Sequence, residues 1–91
     1  MDHIKGKKLK SIKLYALSTC IWCRRTKNFL NKNGLDYYYT DVDLLEGDER
    51  DKIESEIKKW NRSISFPTIV IDNKECIVGY EPDKIKEKLG L

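Results

Sequence analysis

The chain has 91 residues, with 18 lysines and arginines against 15 aspartates and glutamates, a net charge of +3. That length suits one small domain with a single modest core and leaves no room for a second domain and linker. No apolar run approaches the ~20 residues of a membrane helix, so no membrane span is expected, and a charge this mild makes no strong case for nucleic acid.

Much of the positive excess falls at the start, in Lys5, Lys7, Lys8, Lys10 and Lys13. The run Met1 to Lys8 is polar and basic, with no apolar stretch and no small-residue cleavage site, so it does not read as a secretory signal. The cytoplasm is the expected location. Residues 1–10 are expected to form a flexible basic arm, as termini commonly do, ahead of a folded domain spanning 11–91. A basic arm can meet phosphates electrostatically, which leaves a salt-dependent nucleic-acid binder as a minor alternative; the expectation is no nucleic-acid partner. No role is expected for His3.

Ser11 to Leu17 alternates polar and apolar residues and contains β-formers, which predicts a first strand ending at Ser18-Thr19. From Trp22 through Thr26, Phe29 and Leu30 the less polar positions recur at helical spacing, and Asn33-Gly34 supplies a stop. Leu35 to Val42, with Tyr37, Tyr38 and Tyr39, is rich in aromatic β-formers and predicts a second strand. Glu46-Gly47-Asp48 breaks it, and Ile53, Ile57 and Trp60 then share one face of a helix over Asp48 to Asn61. That spacing assigns Trp60 to the core; the acidic segment from Leu44 to Glu56 reads as a solvated face. Thr68 to Ile71, the turn Asp72-Asn73-Lys74, and Cys76 to Val78 form a hairpin. Pro82 opens a last helix carrying Ile85 and Leu89, which Gly90 ends. The order is β-α-β-α-β-β-α: two β-α-β crossovers feeding a hairpin, which gives an α/β fold with a four-stranded mixed sheet.

Three cysteines are too few and too unevenly spaced for a secreted disulfide scaffold, and a close pair in a reducing compartment is catalytic or metal-binding. Cys20-Ile21-Trp22-Cys23 stands where a strand gives way to a helix. Two intervening residues in a first helical turn bring the thiols within bridging distance, while unpaired N–H groups and the helix dipole favour a thiolate. Cys20, at the exposed start, is the candidate nucleophile and Cys23 the resolving thiol, with Arg24, Arg25 and Lys27 adding positive charge nearby. A structural zinc site needs about four ligands, and the chain adds only Cys76 and His3 to the pair. Cys76 itself reads as a small buried side chain, with a regulatory thiol as the alternative.

Three segments, Leu14 to Cys23, Ser65-Phe66-Pro67-Thr68-Ile69-Val70-Ile71-Asp72, and Val78-Gly79-Tyr80-Glu81-Pro82-Asp83, resemble the glutaredoxin family in matching order. The resemblance covers nearly the whole chain after the basic arm. It implies a thioredoxin fold and a dithiol oxidoreductase that reduces protein or glutathione mixed disulfides through Cys20 and Cys23. It implies no bound cofactor, electrons from glutathione or from thioredoxin reductase and NADPH, disulfide-containing proteins as partners, and a monomer. It further implies a cis Phe66–Pro67 peptide facing the cysteines, with the Phe66 backbone free to pair with a bound peptide or glutathione chain; on its own, Pro67 reads equally as a strand-start proline. Trp22, Phe66, Pro67, Thr68, Gly79, Tyr80 and Asp83 would then shape the substrate groove, although core packing is the other reading of Trp22.

Ile21-Trp22 stands where glutaredoxins often have proline and tyrosine, Leu17 where a glutathione-holding lysine is common, and Val78-Gly79 where paired glycines occur. Gly79-Tyr80-Glu81-Pro82-Asp83 is closer to the matching segment of redoxins that serve ribonucleotide reductase and are recharged by thioredoxin reductase. Some glutaredoxins hold an iron–sulfur cluster between two subunits, which makes an iron–sulfur or metal carrier the competing expectation.

Overall fold

The computed structural model describes all 91 residues. The elements are β1 (Asp2–Ile4), β2 (Ile12–Ala16), α1 (Ile21–Lys32), β3 (Tyr37–Asp41), α2 (Gly47–Trp60), β4 (Thr68–Ile71), β5 (Glu75–Val78) and α3 (Pro82–Leu89). A 3₁₀ turn at Val42–Leu44 joins β3 to α2. The strands form one sheet in the order β1-β3-β2-β4-β5, with β2 parallel to β3 and every other neighbouring pair antiparallel.

Alternation of side chains along the strands divides the core between the two faces of the sheet. Ile12, Leu14, Ala16, Ile69 and Ile71 face Cys23 and Leu30 of α1 and Ile85 and Leu89 of α3. Tyr15 and Val70 point the other way and pack with Val42 and Ile57, with Ile53 and Trp60 of α2 against them. The helical spacing of Ile53, Ile57 and Trp60 therefore marks a real apolar face, and Trp60 is a packing residue. Leu30, Ile57 and Ile85 have no exposed surface, and burying each such side chain contributes roughly 1.5–3 kcal/mol.

Two expectations are corrected. Only the connection through α1 is a crossover between parallel strands. β4 lies antiparallel to β2, at Leu14↔Ile69 and Tyr15↔Thr68, so α2 and the loop after it return the chain to the end of the sheet that β3 had just reached. The sheet also has five strands instead of four, because residues assigned to a free basic arm supply β1. Asp2, His3 and Ile4 pair with Tyr39, Tyr38 and Tyr37; Ile4 packs on the core, and the His3 ring stacks on Tyr38 and pairs with the Asp36 carboxylate. Three residues with one apolar side chain are too short to show a period.

The arm is held further by Lys7, whose N–H donates to the Gly34 carbonyl at 2.7 Å and whose carbonyl accepts from Asp36 N–H at 3.0 Å. Gly6 allows that approach: a Cβ there would lie 2.6 Å from the Gly34 oxygen and the Leu35 carbonyl carbon. These are backbone atoms that a side-chain rotation cannot move. Gly6→Ala is therefore expected to lower stability by about 1–3 kcal/mol, the usual cost of overpacking, and to speed amide hydrogen exchange in residues 2–7 well beyond that in β4. Unchanged exchange there would show that the arm is held elsewhere.

Candidate functional site

β2 delivers the chain to the end of the sheet at Ala16, and a short loop leads into α1. Cys20 is the residue before the first helical turn, with extended backbone angles (φ −84°, ψ 121°). Its carbonyl accepts from Arg24 N–H at 3.0 Å and its Sγ accepts from Cys23 N–H at 3.3 Å. The sulfur thus takes the capping position usually filled by a serine, threonine or aspartate oxygen. Backbone N–H groups at a helix start carry partial positive charge, and no acidic side chain occupies the first turn of α1.

Cys23 sits in the opposite environment. It is 1% exposed, inside the core between α1 and the sheet. Burial, followed by its hydrogen bond to Cys20, pushes its thiol up to about 12, against smaller opposing effects of the Leu17 backbone and Lys27. Lys27 forms an ion pair with Asp41 at 2.8 Å and lies over the Tyr39 ring, so much of the positive charge expected from it is neutralised. Arg25 is placed over the Trp22 ring, 4.9 Å from its centroid.

Trp22 is 51% and Ile21 57% exposed, which settles Trp22 as a surface residue. Its ring stacks on Tyr80 at 6.3 Å, joining the start of α1 to the segment before α3. The pairing of Tyr15 with Thr68 places Phe66-Pro67 beside the loop that precedes Cys20. The Phe66–Pro67 peptide is cis. The Pro67 carbonyl accepts from Gly79 N–H at 2.8 Å, at a glycine whose φ of +88° suits no other residue well. Neither the N–H nor the C=O of Phe66 is hydrogen-bonded within the chain. Cys20, Cys23, Trp22, Phe66, Pro67, Gly79 and Tyr80 are thereby gathered at one end of the molecule, and Asp83 lies beyond them with Tyr80 along a surface cavity of about 340 Å³.

Thr68 is brought to the same end in a different way. It is fully buried, and its hydroxyl donates to the Ser65 carbonyl at 2.7 Å and accepts from Asn61 Nδ2 at 3.3 Å. It pins the loop before Pro67 from below. Two residues outside the expected set do similar work. Asn61 also donates to Ser65 Oγ at 2.8 Å. Asp43 accepts from the Ser18 N–H at 2.8 Å and from its hydroxyl, and these bonds hold its carboxyl below the usual carboxylate range. Asp43 stands just before the acidic segment and carries no local motif of its own; the signal for it lies in topology, since the parallel pair β2 and β3 ends at Ala16↔Asp41.

His3 and Cys76 do not join the pair. His3 is on the edge strand β1 and Cys76 on the opposite edge strand β5, and no three His, Cys, Asp or Glu side chains converge as metal ligands anywhere in the chain. Cys76 is only half-buried, and burial raises its thiol.

The family model for glutaredoxin matches residues 12–77. The chain belongs to the glutaredoxin family. Among solved structures, the glutaredoxin of Methanosarcina mazei Go1 is 40% identical and superposes with a TM-score of 0.92, covering 99% of this chain and 87% of that one. Methanoredoxin of Methanosarcina acetivorans is also 40% identical, with a TM-score of 0.91 over 94% of this chain and 90% of that one. A glutaredoxin-like 8.6 kDa protein from the rubredoxin operon of Clostridium pasteurianum is 35% identical over 80 residues, 85% of this chain and 99% of that protein. The mixed sheet and its three helices are thus the thioredoxin fold of a glutaredoxin, and family members are thiol oxidoreductases. In this glutaredoxin the Cys20–Cys23 pair opens α1.

The different settings of the two thiols predict their reactivity. Thiolate is the reacting form of cysteine, and with burial pushing its thiol up to about 12 Cys23 carries very little thiolate at pH 8. Iodoacetamide added to the reduced, folded protein at pH 8 is expected to label Cys20 first and leave Cys23 unmodified, as peptide mass spectrometry would show; raising the pH toward 12 should open Cys23. Equal labelling of both at pH 8 would contradict the assigned environments.

Proposed function

We propose that this protein is a dithiol reductase of disulfides, with Cys20 as nucleophile and Cys23 as resolving thiol. The observation that carries the reading is the asymmetry of the pair: a half-buried sulfur that caps a helix, three residues before a thiol buried in the core. Exchange begins when the Cys20 thiolate attacks one sulfur of a substrate disulfide, forming a mixed disulfide and releasing the other sulfur as a thiolate that takes a proton from water. Cys23 then loses its proton and attacks Cys20 Sγ. The second substrate thiolate leaves, and the two electrons gained by the substrate remain balanced by the new Cys20–Cys23 disulfide. A thiol or dithiol reductant must return them, which suits a reducing compartment such as the cytoplasm.

Substrate recognition is assigned to the free N–H and C=O of Phe66, which can pair with an extended substrate backbone as a strand pairs with a sheet edge. The exposed Ile21 and Trp22, with Tyr80 stacked behind, supply apolar contact at the same end. Pro67 and Gly79 set the Phe66 backbone in place through their mutual hydrogen bond, Thr68 holds the loop beneath, and Asp83 provides the negative end of the groove. Such a surface suits a protein disulfide as well as glutathione mixed disulfides.

Cys20→Ser is expected to abolish disulfide reduction. Cys23→Ser should accumulate mixed disulfides visible by non-reducing electrophoresis, retaining monothiol exchange only. Full turnover by Cys20→Ser would overturn the roles. The electron source is read by following reduction of the oxidised protein with glutathione alone and, separately, with NADPH and thioredoxin reductase. Leu17 in place of a lysine and the Val78-Gly79 pair lead us to expect faster recharging by the reductase; fast recharging by glutathione alone would assign a glutathione site that uses neither feature.

A further inference from the structure

The exposed face of α1 continues away from the cysteines as Arg25, Asn28, Phe29 and Lys32, residues at i, i+3, i+4 and i+7 that share one side of a helix. The first turns of α3 run alongside. Between them lie two adjoining surface cavities of about 260 and 390 Å³: Arg25, Asn28, Phe29, Lys32 and Tyr80 line the first, while Phe29, Lys32, Tyr80, Pro82, Asp83 and Lys86 help to line the second. Tyr80 belongs to both and also stacks on Trp22. The groove therefore opens directly onto the end of the molecule that carries Cys20.

Its chemistry is specific. The floor is apolar, made by Phe29, Tyr80 and Pro82, and the rim carries three cations, Arg25, Lys32 and Lys86, against one carboxylate, Asp83. None of the three cations has an ion-pair partner, whereas the neighbouring Lys27, Lys84 and Lys88 are paired with Asp41, Glu81 and Glu75. Arg25 and Lys86 rest instead over the rings of Trp22 and Phe29, which holds their charge at the rim of an aromatic surface. From Arg25 to Lys32 the helix rises about 10 Å, the reach of about three residues of extended chain.

We propose that this groove binds an extended acidic segment flanking the substrate cysteine, so that the protein discriminates in favour of protein disulfides with carboxylates within a few residues of the reacting sulfur. This rests on the dithiol-reductase reading and names its substrate class. A peptide is the occupant that fits because the groove leads through Tyr80 and Trp22 toward the end of the molecule that carries Cys20, the floor accepts apolar side chains, and the rim leaves a positive excess to be matched.

The test uses short peptides bearing one cysteine as a mixed disulfide with 2-mercaptoethanol, flanked by glutamates, glutamines or lysines, with bis(2-hydroxyethyl) disulfide as a small neutral control. Single-turnover reduction at low salt is expected to be about fivefold faster for the glutamate peptide than for the glutamine peptide, and slowest for the lysine peptide, with the differences largely lost at high salt. The double variant Lys32→Gln/Lys86→Gln should reduce the glutamate advantage to within about twofold while leaving the rate on the neutral control unchanged. Equal rates for glutamate and glutamine peptides, or an advantage that survives the double variant, overturn the proposal. If the peptides are equal and labelled oligothymidylate binds in a manner that requires Lys32 and Lys86, the cations serve phosphate instead and the proposal is likewise overturned. Failure to reduce the neutral control at all would strike the dithiol-reductase reading and not the groove.

Discussion

The arrangement depends on the central position of β2, which is parallel to β3 on one side and antiparallel to β4 on the other. A parallel neighbour ends at the same edge of the sheet, and an antiparallel neighbour begins there. The loop leaving β2, the turn leaving β3 and the segment entering β4 are therefore forced together. Cys20 comes from the first, Asp43 from the second, and Phe66-Pro67 from the third. Any slip of β4 by one residue would turn Val70 and Ile69 to the wrong faces of the sheet, so the two core clusters that stabilise the fold also fix the register that builds the site.

Within that frame the two thiols meet different surroundings at positions only three residues apart. One turn of helix places Cys23 inward against the sheet while Cys20 stays at the rim, still outside the helix proper. The buried thiol holds its proton because an apolar setting disfavours charge, and the rim sulfur receives the N–H that a helix start leaves without a backbone partner. A spacing of two intervening residues thus does more than permit a disulfide: it places the pair across the boundary between solvent and core.

Much of this was legible in the sequence because it depends on local signals. The C-x-x-C at a strand–helix junction, the helical spacing of Ile53, Ile57 and Trp60, the Asp72-Asn73 turn, whose residues adopt left-handed angles as that residue pair tolerates, and Pro82 at the start of α3 are each decided within a few residues. What was not legible depends on contacts that no local pattern displays. Asp43 matters only because β3 lies beside β2; Asn61, only four and seven residues from its partners, matters because the loop after α2 turns back and brings Ser65 and Thr68 to its side chain. β1 has too few residues to display a pattern of its own; its place is set by Gly6 and by the ladder of tyrosines opposite. The expectation of a second parallel crossover failed because helical spacing gives the length of α2 but not the direction of the strand that follows.

The placement of β1 also bears on how the chain behaves in company. Without it, β3 would be an outer strand presenting Tyr37, Tyr38, Tyr39 and Thr40, an uncharged, aromatic run with unpaired backbone groups, which is the kind of segment that recruits strands from other molecules. β1 covers that template with a strand of only three residues bearing Asp2 and His3, too short and too polar to serve as a template itself. On the opposite border, β5 is similarly brief and begins with an exposed glutamate. The few residues that looked least structured thus cover the strand edge best suited to pairing with another chain, at the flank of the sheet and away from the end that carries the cysteines.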